Sequence, residues 1–186
     1  MLTTVRDAAG LTQTAIAEYV GLSQATVSKI ENGLEEPSND FVNRVSELAG
    51  VSPALLYQHD ELLPGTLFDI FHKKRLTLPA KPLKAANAQA QLTRLHISNL
   101  LRSFDVPTTL PFPNLNLDQH ESPAEVAALT RAMWQIPSGP FPDLVKVVEA
   151  TGTPIMLIDL GHEKLRAMSM PGARSYGTHI ILVNER

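Results

Sequence analysis

Apolar residues recur at helical spacing through the first 60 positions, and turn-forming residues break the pattern at intervals. In "QTAIAEYV", Ile16 and Val20 lie four apart with Ala17 beside them. Thr12 precedes this run, and its hydroxyl suits the free backbone N–H groups of a helix start. Gly21 ends the run, because it takes a left-handed backbone at no steric cost. Ser23 then opens "QATVSKIE", where Val27 and Ile30 face inward. The pattern predicts helix, short turn, helix, with the small Ala17 where the two helices cross. "EEPSNDFVNRVSELAG" predicts another helix, capped by Ser38 or Asn39, with Phe41, Val45, Leu48 and Ala49 on one face. "VSPALLYQ" predicts a short one, capped by Ser52 with Pro53 in its first turn. The expected core of this bundle is Ile16, Val20, Leu22, Val27, Ile30, Val42, Val45, Leu48, Val51, Leu55 and Leu56.

The pattern changes beyond this bundle. "TLFDIFHKKR" reads as a short helix or an extended piece, and Pro79 and Pro82 punctuate the stretch after it. From Lys84 to about Phe104 there is no proline or glycine, and Ala88, Leu92, Leu95 and Leu101 mark one face of a long helix. Such a helix packs in cis or forms a dimer seam. "VPTTLPFPNLNLDQH" is a proline-rich loop. A helix starting at Ser122 and Pro123 turns Val126, Leu129, Ala132 and Met133 inward, and an amphipathic one ends at Gly152. "TPIMLIDLG" reads as a buried strand, with two more in "KLRAMSM" and "GTHIILVNE". The fold expected is a mainly α helix-turn-helix bundle followed by a small α+β segment. The expected divisions are 1–62, a basic junction with the linking helix at 63–105, and the α+β part at 106–186.

Charge complicates the first segment. Its 60 residues hold eight acids and three bases, Arg6, Lys29 and Arg44. Residues 61–101 reverse the sign, with Lys73, Lys74, Arg75, Lys81, Lys84 and Arg94 against Glu61 and Asp69. A positive field for the acidic bundle is therefore expected from its neighbour, with the run Lys73, Lys74 and Arg75; the alternative is a solvated helix face beside a loop. There is no cysteine, hence no disulfide or thiolate metal site. No signal peptide or membrane span is apparent, so a cytoplasmic protein is expected.

The polar side of "LSQATVSKIENG" suits DNA. Glutamine pairs with adenine through two hydrogen bonds, and Ser and Thr serve bases or phosphates. Helix starts and backbone N–H groups suit phosphate oxygens. On these residues the stretch "GLTQTAIAEYVGLSQATVSKIENGLEEPSNDFVNRVSELAGVSPALLY" resembles the repressor and Cro-like (XRE) helix-turn-helix family. The resemblance implies a phosphate contact from Gln13, next to the capping Thr12. It implies that Gln24, Ala25, Thr26, Ser28 and Lys29 face the groove or its edges, with Ser23 capping and Asn32 near the DNA backbone. Glu31 is directed away from the duplex. Unlike the family pattern, only "MLTTVRDAA" precedes Gly10: either the first helix is short or the true start lies upstream, and either case leaves less core around Leu2 and Val5 and fewer phosphate contacts.

"LPAKPLKAANAQAQLTRLHISNLLR", "ALTRAMWQIPSGPFPDLVKVVEATGTPIMLIDLG" and "HIILVNER" resemble the early part of the ImmA/IrrE family. That family's zinc site is an HExxH helix following the strand that matches "HIILVN". The chain reaches Arg186 without that motif, and neither His120–Glu121 nor His162–Glu163 completes it. No catalytic residue, metal or cofactor is expected. The reading is a sequence-specific, double-stranded DNA-binding regulator, a homodimer on a two-fold operator. Its C-terminal part would take a small-molecule or protein effector. The alternatives are the N-terminal fragment of a regulator with a zinc metallopeptidase domain, or an antitoxin-like protein that binds DNA and a protein partner.

Overall fold

Three hydroxyl caps set the helices of the first third. Thr12 Oγ1 accepts from Ala15 N at 3.1 Å, Ser23 Oγ from Thr26 N at 3.1 Å, and Ser38 Oγ from Phe41 N at 3.1 Å. A computed structural model describes residues 1–58, 79–101, 104, 107–115, 117–120, 122–141, 143–172 and 179–185. The capped helices are α2 (Gln13–Val20), α3 (Gln24–Glu31) and α4 (Asn39–Ala49), preceded by α1 (Leu2–Ala8) and followed by α5 (Pro53–Leu56). Ser52 precedes α5 but makes no capping bond; Pro53 at the first turn sets that helix without one.

The core of this bundle is Ile16, Ala17, Val20, Val27, Phe41, Val42 and Val45, with Ile30, Leu48 and Leu56 half-buried against it. Leu22 is a correction to the expected core, being 43% exposed. Its backbone N–H closes the turn by donating to Ala17 O at 3.0 Å, and that tight geometry leaves the side chain at the surface.

The long helix, α6 (Ala80–Leu101), starts earlier than the prolines suggested. Pro82 falls in its first turn, where no N–H is required. α6 has two apolar faces. Leu92 and Leu95 pack with Val5 and Leu55 against the helical bundle. Ala86, Ala90 and Ile97 lie on the opposite side, at ~100° per residue, with Leu160, Leu165, Met168, Met170, Ile180 and Leu182. Leu101, expected beside Leu92 and Leu95, packs instead on this second face. The short α1 does not leave Val5 bare, because α6 supplies the missing wall.

The sheet holds β1 (Ile155–Ile158), β2 (Ala167–Pro171) and β3 (His179–Asn184) in the order β1-β3-β2. β1 runs parallel to β3 and β2 antiparallel to it. Met168, Met170, Ile180 and Leu182 point from it toward α6. Buried Asn184 ties the strand end to the preceding loop: Oδ1 accepts from Leu160 N at 3.1 Å, and Nδ2 donates to Leu165 O at 2.7 Å. β1 is an edge strand, not the buried strand expected: Met156 is exposed and Leu157 is 65% exposed. A run of apolar residues signals a strand but not that both faces are covered.

α7 (Pro123–Met133), capped by Ser122, and α8 (Leu144–Glu149), capped by Asp143, bury no residue fully. The inward placement expected for Val126, Leu129, Ala132 and Met133 is therefore corrected. Val126 is half-buried and the other three are exposed. Amphipathic spacing gives α7 an apolar face, but among the described residues no element closes over it. No helix among the described residues is long and apolar enough to cross a membrane.

Candidate nucleic-acid interface

Gly21, at φ +73°, turns the chain between α2 and α3, and Ser23 restarts it. The outcome is one polar strip on α3. Gln24, Ala25 and Lys29 are exposed, and Thr26 and Ser28 half-exposed, while Val27 is buried on the opposite side. Positions 24, 25, 28 and 29 repeat at the i, i+4 spacing of one helix face. Ser23 Oγ also lies 2.9 Å from Thr26 Oγ1, so the cap and the first-turn threonine hold each other. Thr12 is exposed at the start of α2. The exposed Asn32 turns its amide back onto Ser28 O at 2.8 Å, closing the far end of α3.

Gln13 and Gln24 are joined. The Gln24 amide donates to Gln13 Oε1 at 2.6 Å, and the Gln13 amide donates to Glu31 Oε2 at 2.7 Å. Glu31 is held in turn by Arg6, whose Nε donates to Oε1 at 2.6 Å. Burial works against the Arg6 charge, but the hydrogen bond and charge of Glu31, with Asp7 beside it, outweigh that and raise its pKa. The chain of bonds fixes the angle between α1, α2 and α3 and presents two glutamine amides side by side. Gln24 keeps Oε1 and a second N–H able to bond outward. Glu31, expected at the far end of α3 away from DNA, is thus an internal brace. Nothing in local sequence pairs it with Arg6, which stands 25 positions earlier.

The few bases of the segment are mostly spent on structure. Arg6 binds Glu31 and Asp7. Arg44, from α4, donates to Tyr19 O and to Val20 O, satisfying the last carbonyls of α2, and lies over the Tyr19 ring. Lys29 alone among the three is exposed on the polar strip of α3. Lys73, Lys74 and Arg75 lie outside the described residues.

The α+β part presents different chemistry. His179 stacks on Phe112 with ring centres 4.6 Å apart, and burial pushes its pKa below the ordinary histidine value. Its Nδ1 is buried with no hydrogen-bond partner among the described residues. His162 Nδ1 accepts from Lys164 N at 3.1 Å, a loop contact. Among the described residues no three His, Asp or Glu side chains gather as a metal site would require.

Comparison with known proteins agrees with the first third. Residues 2–56 match the family model described as helix-turn-helix. That segment is a helix-turn-helix DNA-binding domain of the XRE type, the kind carried by transcription regulators. Neither curated proteins nor solved structures give a match to the chain.

Proposed function

We propose that the protein is a sequence-specific transcription regulator that sets α3 in the major groove as a homodimer on a two-fold operator. The observation that carries this reading is the braced glutamine pair. Gln13 and Gln24 are bonded at 2.6 Å, at the start of the exposed strip of α3. Gln24, Ala25, Ser28 and Lys29 read bases or their edges, with Thr26 beside them. Thr12, Gln13, Ser23 and Asn32 serve the phosphates, and Lys73, Lys74 and Arg75 add positive charge. The activity is binding and not catalysis. The exposed apolar side chains of α7, α8 and β1 suit a C-terminal module for dimerisation or for an effector.

The test is selection of binding sites from random duplexes by the purified chain, repeated with Gln24→Ala. Wild type should enrich one sequence with two-fold symmetry. The variant should lose about 1–3 kcal/mol of discrimination at a single position of each half-site. No enriched sequence, or identical preference in the variant, sinks the proposal.

A further inference from the structure

Lys81 and Lys84 stand on the first turns of α6, and their spacing is informative. Positions 81, 84, 88, 92 and 95 repeat every three or four residues and so share one helix face. The lower part of that face is the apolar stripe that docks on Val5 and Leu55 through Leu92 and Leu95. The two lysines continue the stripe past the docked region. They reach the side of the bundle where α2 begins.

A cleft of about 590 Å³ opens there. Thr12, Gln13 and Gln24 form one wall, and Lys81 and Lys84 form the other. These are the start of α2 and the braced glutamine pair on one side, and two ammonium groups on the other. Lys84 Nζ lies 3.1 Å from Asp7 Oδ2, yet its side chain is 63% exposed. An ammonium has three donors, so this pair leaves Lys84 able to donate outward. Lys81 is exposed. The helix-turn-helix itself has committed Arg6 and Arg44 to internal bonds.

We infer that Lys81 and Lys84 belong to the DNA-binding surface, gripping the phosphodiester backbone beside the α2 N-terminus while α3 reads the groove. The inference rests on the proposed function, and it assigns the long helix a direct part in it. α6 is braced on both faces, so its lysines are carried at a set position beside the reading helix. The acidic bundle gains its phosphate neutralisation from outside the helix-turn-helix.

The test uses the full chain and a mixed-sequence duplex DNA of about three helical turns. Binding is followed by fluorescence anisotropy over a range of salt concentrations. Wild type is compared with Lys81→Gln alone, with Lys81→Gln/Lys84→Gln, and with Lys84→Arg. Each lost phosphate contact makes the slope of log affinity against log salt shallower by ~0.9. The single Gln variant should lose about one such step and the double variant about two, while Lys84→Arg keeps the wild-type slope. Lys81→Gln touches no internal bond among the described residues, so it remains informative if the double variant folds poorly. Wild-type binding with an unchanged slope in Lys81→Gln and in the folded double variant overturns the lysine assignment and leaves the proposed function standing. A wild type that binds neither this duplex nor any duplex selected from random sequence overturns both.

Discussion

Glu31 is nearly enclosed, and its two oxygens serve different helices: Oε1 takes the Arg6 guanidinium, and Oε2 the Gln13 amide. Replacing it with glutamine keeps the shape and removes the charge that holds Arg6. A hydrogen bond to a charged group is worth about 1.5–3 kcal/mol. Glu31→Gln should therefore lower stability by about 2 kcal/mol, read from the urea midpoint, and loosen the Gln13–Gln24 pair. A wild-type midpoint would show that the brace is dispensable. At this scale the sequence identified the outward polar positions of α3, because residues opposite Val27 and Ile30 have to face away from the core. It could not identify the brace. Arg6, Gln13 and Glu31 meet through the folding of three helices, and no spacing within one helix encodes that meeting.

Gly21 decides an element boundary. Its φ of +73° lies in the left-handed region, and a Cβ built there meets nothing within 4 Å. Space is not the obstacle, so Gly21→Ala isolates backbone strain. The expected loss is about 1–2 kcal/mol, measured by thermal unfolding followed by circular dichroism. A stability equal to wild type would mean the turn relaxes to another conformation. Helices α2, α3 and α4 were legible because caps and apolar spacing agree in each. α7 shows where that logic ends. Its spacing correctly marks a helix with an apolar face, but whether anything covers that face is a property of other elements. β1 repeats the point, its apolar run having predicted a burial that an edge position does not provide.

Across the molecule, α6 is common to two cores. Leu92 and Leu95 belong to one, and Ala86, Ala90 and Ile97 to the other. Truncating Ile97 to alanine should cost about 2–5 kcal/mol on the sheet side. Because the same helix supports Val5, the loss should not stay local. Trp134, bonded to Pro111 O at 2.8 Å, reports on the α+β part, and helical circular dichroism weights the bundle. In Ile97→Ala both signals should move to lower temperature together. If only the Trp134 signal moves, the two cores are independent and α6 is merely shared chain.

The amino-acid order was enough to specify the helix-turn-helix, its caps and its outward polar strip, since those arise from contacts within a few residues and from a 3.6-residue period. It also signalled one long helix and three strands. Where α6 would dock was beyond it. Two apolar stripes on opposite sides of one helix overlap in sequence, and Leu101 falls with the wrong stripe unless both partners are known. The internal bonding of Arg6 and Arg44, the edge position of β1 and the open face of α7 likewise depend on elements distant in the chain. Long-range packing settles these, because burial and charge pairing depend on what lies across the contact as well as on the residue.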